Sequence, residues 1–152
     1  MPAHHILVPI DLSPSTDLTF DYALRLARSL QARVTLLHVI EPLLLGHRDP
    51  LAYPAMQALE SRITEQLSAY RMRLVEAGLQ GDFAVLHGVP YQVIVETAGR
   101  AGADLIVMGT HGRSGLAYVL LGSVAERVVQ LAPCSVLVAR TPRDEPGAPA
   151  TQ

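Results

Sequence analysis

Five short, unbroken apolar runs, spaced by stretches of helical period, limit what this chain can fold into more than any other feature of it. They are Ile6 to Ile10, Val34 to Ile40, Phe83 to His87, Leu105 to Met108 and Val136 to Ala139. Each is four to seven residues long and rich in Val, Ile and Leu, which suits a buried parallel strand better than the alternation of a half-exposed sheet. Leu18, Tyr22, Leu26 and Leu30 stand at four-residue steps between Ser13 and Gln31. Ser13 suits an N-cap and Pro14 a first helical position, so this stretch predicts a helix with the four large residues inward. A second helix is expected from about Ala55 to Ala77, with Leu59, Ile63, Leu67, Tyr70 and Leu74 inward and Gly78 as its stop. A third covers Tyr91 to Ala101, and a fourth starts at Ser123 and ends before Pro133. The alternation βαβαβαβαβ calls for an α/β domain, a three-layer sandwich with helices on both faces of a five-stranded parallel sheet.

At 152 residues the chain has room for one domain with a substantial core. Its twelve basic side chains are all arginine; there is no lysine. That excludes a Walker A phosphate loop, Schiff-base chemistry and a response-regulator receiver pocket. A formal charge of -2 gives no electrostatic case for nucleic acid or an anionic membrane. The start, Met1 to Ile6, lacks a basic region followed by an apolar one, and no apolar stretch approaches roughly 18 residues, so a cytoplasmic location is expected. Cys134, alone and inside an apolar run, reads as an inert buried thiol. The six histidines are scattered, with only His4 and His5 adjacent, and suggest no metal cluster. Two segments exceed the minimal plan. Residues 41–54 are long for a strand-to-helix connection and read as a flap or an interaction surface. Residues 141–152, with three prolines, read as a disordered tail.

The most informative stretch follows the fourth run: Gly109-x2-Gly112-x9-Gly122-Ser123. In an open parallel α/β sheet, ligands bind beyond the carboxyl ends of the strands, where this segment begins. Glycines let the backbone approach a ligand and adopt positive φ, and the helix opening at Gly122-Ser123 offers unpaired N–H groups to an anion. Ser123 adds a hydroxyl and Arg113 the only basic side chain of the loop. His111 lies between two of the glycines. The same residues also have a purely structural reading: Gly109 ends a strand, Gly115 relaxes a loop, and Ser123 with Glu126 forms a capping box.

In this spacing the chain resembles the universal stress protein family in its ATP-binding branch. The likeness runs through Ile6-Leu-Val-Pro-Ile-Asp11-Leu-Ser13, Leu36-Leu-His-Val-Ile40, Gly88-Val-Pro90, Ala103 to Gly112, Ser123 to Val128 and Ala132 to Val138. It implies a universal stress protein domain over residues 1–140, with strand order 3-2-1-4-5 and the Rossmann-like fold of the adenine nucleotide α hydrolases. It implies that Gly109, Gly112, Gly122, Ser123 and Val124 hold the phosphates of ATP, with Arg113 in place of a lysine. Asp11 would stand at the mouth of the adenosine pocket, near ribose and a phosphate-bound Mg²⁺. Pro9, Val39 and Met108 would supply apolar walls and main-chain hydrogen bonds to adenine. Read without the resemblance, Asp11 before Ser13-Pro14 is a turn residue, Pro9 interrupts a strand near its end, and Val39 and Met108 belong to the core.

No nucleophile elbow, serine–histidine–acid set or carboxylate pair is legible. The expected function is a nucleotide-binding regulatory module of the stress response that orders the loop between Thr110 and Leu121 and so acts on a partner; the alternative is a slow ATP hydrolase or nucleotide transferase using the same cradle. The family further implies a homodimer through the last strand, Val136 to Val138. With no lysine and near-neutral charge, nucleotide affinity is expected to be micromolar.

Overall fold

The structure is a computed structural model that describes residues 4–42, 50–110 and 121–140. Five strands, β1 (His5–Pro9), β2 (Arg33–Ile40), β3 (Gly81–His87), β4 (Leu105–Gly109) and β5 (Ser135–Ala139), form one parallel sheet in the order β3-β2-β1-β4-β5. Four helices connect them: α1 (Thr16–Leu30), α2 (Tyr53–Glu76), α3 (Pro90–Ala101) and α4 (Ser123–Leu131). This is the three-layer, Rossmann-like α/β fold that the runs and the resemblance called for. Side chains that alternate along the strands sort the core in two. Ile6, Val8, Val34 and Leu36 pack with Phe20, Ala23 and Ala27 of α1 and Ile63, Leu67 and Leu74 of α2. Leu7, Leu37, Ile106 and Met108 face the other way, onto Ile94 and Ala98 of α3 and Ala125 and Val128 of α4. Each large aliphatic side chain so buried contributes about 1.5–3 kcal/mol of transfer free energy.

The sheet corrects the expectation that all five strands are covered. The central strands β1, β2 and β4 are buried along most of their length, whereas β3 and β5, at the two edges, are half-exposed. At the β3 edge, Leu86 is left exposed.

The first helix departs furthest from its predicted face. It starts at Thr16, not Pro14, and its buried residues are Thr16, Thr19, Phe20, Ala23 and Ala27. Tyr22 is exposed, Leu18 is half-buried, and Leu26 and Leu30 pack against the core from the side. Apart from Phe20, small residues take the central stripe because they let the helix axis lie close to the sheet, while Leu24, Leu26 and Leu30 pack beside it. The second helix keeps its expected face: Ile63, Leu67 and Leu74 are buried, and Gly78 follows with φ +78, as a helix stop requires. It begins two residues earlier than expected, after a 3₁₀ turn at Pro50–Ala52, with Pro54 in its first turn. Residues 50–54 of the expected flap therefore belong to helical structure. A Cβ on Gly81 would come within 2.7 Å of Leu74 Cδ1, so glycine is what lets α2 close onto the start of β3. Cys134 is half-buried against the α3–α4 side, and burial pushes its thiol above the usual range, in keeping with an unreactive group.

Candidate functional site

The site exists because two neighbouring strands part company. Between β1 and β4 the register is short, Ile6 with Leu105 and Leu7 with Ile106, while β4 follows β5 as far as Gly109 with Ala139. The His5 carbonyl accepts the Asp104 N–H at 2.9 Å, so by alternation Leu7 and Pro9 also turn their backbone toward β4. Pro9 has no N–H to continue that ladder, and the crevice opens where the ladder stops. This is the switch point of the sheet, with α1 and α2 on one face and α3 and α4 on the other.

Above it lies a cavity of about 410 Å³, within the roughly 300–1,000 Å³ of small-molecule sites. Among the described residues, the sequence-predicted Pro9, Asp11, Val39, Met108, Gly109, Gly122, Ser123 and Val124 all line it. Gly112 and Arg113, with His111, lie outside the described residues. The lining also includes residues that the sequence did not single out: Ile10, Thr16, Thr19, His38 and Ile63 on the α1–α2 side and Ile94 and Thr110 elsewhere. Thr16, Thr19, His38 and Thr110 are buried polar side chains, a signal visible only once burial is known.

Val39 offers backbone, and the reason is again alternation. Arg33 N–H donates to the His4 carbonyl and Ile10 N–H to the Leu37 carbonyl at 2.8 Å, so the odd positions of β2 face β1. Val39 faces the same side one step further on, past the last β1 pairing at Pro9 with Leu37. Among the described residues no hydrogen bond joins its N–H or C=O to the β1 side, and Val39 lines the cavity.

The glycines work differently from the expectation. Gly122 is the N-cap of α4 with φ -66 and ψ 157, a conformation open to any residue, and Gly109 is likewise absent from the positive-φ positions. What glycine supplies at these two positions is a cavity surface without a Cβ. The Gly122 N–H donates to the Thr110 carbonyl at 2.6 Å, pinning together the two ends of the segment between them. The donors at the helix start that precede the first intrahelical bond, Glu126 N–H to Gly122 carbonyl at 2.9 Å, are those of Ser123, Val124 and Ala125, all in the cavity wall. Ser123 is a first-turn residue and no side chain caps α4, so the capping box with Glu126 does not form.

Asp11 satisfies both readings of it. Its Oδ1 accepts the Ser13 N–H at 3.0 Å and the Thr16 hydroxyl at 3.3 Å, which makes it the organiser of the turn into α1, in the place foreseen for Ser13. It also lines the cavity. Leu12, next to it, is held at φ +61, a left-handed conformation that costs a non-glycine residue roughly 1–2 kcal/mol per residue. Among the described residues no group of three or more His, Cys, Asp or Glu side chains is placed to hold a metal ion.

The model of the universal stress protein family matches residues 2–140. The chain belongs to the universal stress protein family. A universal stress protein of Methanocaldococcus jannaschii is 35% identical over 142 residues, covering 92% of this chain and 84% of the relative. Two solved universal stress protein structures carry adenine nucleotides. One, in complex with cAMP, is 25% identical with a TM-score of 0.70, covering 93% of this chain and 99% of the other. The second, from Archaeoglobus fulgidus in complex with dAMP, is also 25% identical with a TM-score of 0.66, covering 91% and 98%. Among the described residues of this stress protein, no helix is long and apolar enough to cross a membrane.

Proposed function

We propose that the cavity binds an adenine nucleotide, ATP in the first instance, and that the chain is a nucleotide-responsive regulatory module rather than an enzyme. One observation carries this reading. The backbone edge of Val39 on one wall and the first-turn N–H groups of α4 on the other face a common space across the crevice between β1 and β4. The first is a donor–acceptor pair suited to the N1 and N6 edge of adenine; the second is a set of donors suited to phosphate. Pro9, Met108 and Ile94 supply apolar surface for a base. The cAMP and dAMP complexes of related proteins support the same ligand class. When a Mg²⁺ accompanies the phosphates it neutralises their charge, and Asp11, a carboxylate of the cavity lining, would stand near it. Gly112 and Arg113 complete the proposed phosphate contacts, and the segment between Thr110 and Gly122, anchored by their hydrogen bond, passes the bound state to a partner protein. A homodimer through the exposed edge of β5 belongs to the same proposal.

The test is thermal unfolding with and without 1 mM ATP. At micromolar affinity, ligand at about 100 times Kd adds roughly 2.7 kcal/mol, which raises the midpoint of a chain this size by roughly 5–10 °C. Gly122→Val, whose backbone angles valine accepts, should fold and lose the shift. An unshifted wild-type midpoint overturns nucleotide binding. Turnover of labelled ATP at several per second, abolished by Asp11→Ala, would make the chain a hydrolase instead.

A further inference from the structure

The geometry points to His38 as a positioning residue for the adenine-reading edge, an assignment that rests on the nucleotide reading above. In a parallel ladder, the strand residue that donates its N–H to one neighbour accepts with its carbonyl from the residue two positions further on. Ile10 donates its N–H to the Leu37 carbonyl at 2.8 Å, so the regular continuation would be Val39 N–H to the Ile10 carbonyl. That bond would consume the donor proposed to read the base. The Ile10 carbonyl instead lies 2.7 Å from His38 Nδ1. A carbonyl only accepts, so His38 carries a proton on Nδ1 and donates it.

The imidazole thus takes the place of the Val39 amide at the end of the ladder. It satisfies a buried carbonyl that would otherwise draw the strand closed, and it leaves the Val39 N–H turned toward the cavity. His38 can do this because its side chain stands on the α1–α2 face, 3% exposed, beside the carboxyl end of β1, whereas the side chain of Val39 packs on the opposite face. The same bond fixes the backbone immediately before Asp11, so one side chain sets both the base edge and the turn below it. Without that bond, Val39 N–H and the Ile10 carbonyl can complete the ladder, and β2 loses its purine-reading donor while the fold persists.

The measurement compares wild type with His38→Leu, His38→Asn and His38→Gln, using AMP and IMP as probes, since these purines exchange donor and acceptor at N1 and position 6. Wild type is expected to prefer AMP by about tenfold, the scale of one well-formed hydrogen bond. His38→Leu and His38→Gln should bring the two affinities to within about threefold. Asparagine places an amide N–H where Nδ1 stands, so His38→Asn should restore the preference, and the Asn–Gln contrast decides the matter even if the leucine variant does not fold. Backbone amide exchange by NMR gives a readout that needs no ligand: the Val39 N–H should be unprotected in wild type and His38→Asn and protected in His38→Gln. Equal AMP preference in all folded variants, or an unchanged Val39 exchange rate, overturns the role of His38. Failure of wild type to bind either nucleotide overturns the nucleotide reading instead, and the exchange rates then still decide whether His38 holds Val39 off the ladder.

Discussion

At the scale of single residues, this protein places ionisable groups where their partners dictate one protonation state. His5 is buried at the start of β1. Its Nδ1 lies 3.2 Å from both the Ala101 carbonyl and the Arg33 guanidinium, and its Nε2 lies 2.8 Å from the Thr35 hydroxyl. Burial first, and Arg33 second, hold the imidazole below its ordinary value of 6.5, against the opposing pull of the Ala101 carbonyl and Asp104. A depressed folded value means that the unfolded chain takes up the proton more readily. The stability His5 contributes is therefore complete above pH 6.5 and is lost as pH falls from there through the folded value. His5→Gln keeps a polar partner for Thr35 but cannot be protonated, so the wild-type advantage in thermal midpoint should shrink between pH 7.5 and 5. A difference that stays constant over that range would contradict this account.

At the scale of elements, α1 shows that contact distance, more than side-chain size, decides what is central. Ala23 and Ala27 are fully buried beneath the helix, and Phe20 beside them is covered by Tyr70, with ring centroids 4.9 Å apart, and by the Arg73 guanidinium 4.5 Å above it. Arg73 also reaches Asp17 at 3.1 Å and Asp21 at 2.8 Å, tying α2 to α1. These ion pairs are largely exposed and each contributes at most about 1 kcal/mol, screened further by salt. Packing holds the pair of helices together. Ala23→Leu should consequently cost about 1–3 kcal/mol through overpacking, more than Leu18→Ala on the same helix. Chemical denaturation of the two variants checks the order, and a smaller loss for Ala23→Leu would show that α1 can lift from the sheet without penalty. Tyr70, hydrogen-bonded to Asp17 at 3.0 Å, has its hydroxyl pushed up to about 12, by burial first and by that carboxylate second. It remains a neutral donor to Asp17 throughout the physiological range.

At the scale of the whole molecule, the two sheet edges pose the same physical problem. Among the described residues nothing pairs with the outer backbone of β3 or β5, and such an edge invites pairing with another chain. Around β5 the apolar side chains continue onto α4, where Val129 and Leu131 are about half exposed. That continuity favours β5 as the face of the proposed homodimer, because a stable interface needs an apolar centre as well as strand pairing. Light scattering after size exclusion at micromolar concentration should give twice the chain mass of 16.4 kDa, and Val129→Arg with Leu131→Arg should return it to one. A wild-type mass of 16.4 kDa would refute the dimer.

The apolar runs were sufficient to specify the layer order of the fold, and the glycine spacing pointed to Gly109, Gly122 and Ser123, whereas Pro9, Asp11, Val39 and Met108 entered the cavity wall only through the family resemblance. Periodicity reports which residues avoid water, and backbone chemistry at Pro9, Gly109 and Gly122 is written into the residue type itself. The inward face of α1 was not legible, because alanine and leucine compete for a central position according to a helix-to-sheet distance that no sequence pattern carries. Asp11 was legible as a turn residue and as a site residue, and only the fold showed that one carboxylate serves the turn while standing in the cavity. His38 sits in the middle of an apolar run, where a lone histidine has no local meaning. Its role comes from a carbonyl 28 positions earlier in the chain. Strand register, set by the packing of the whole sheet, brings those two groups together, and that decision belongs to the tertiary structure alone.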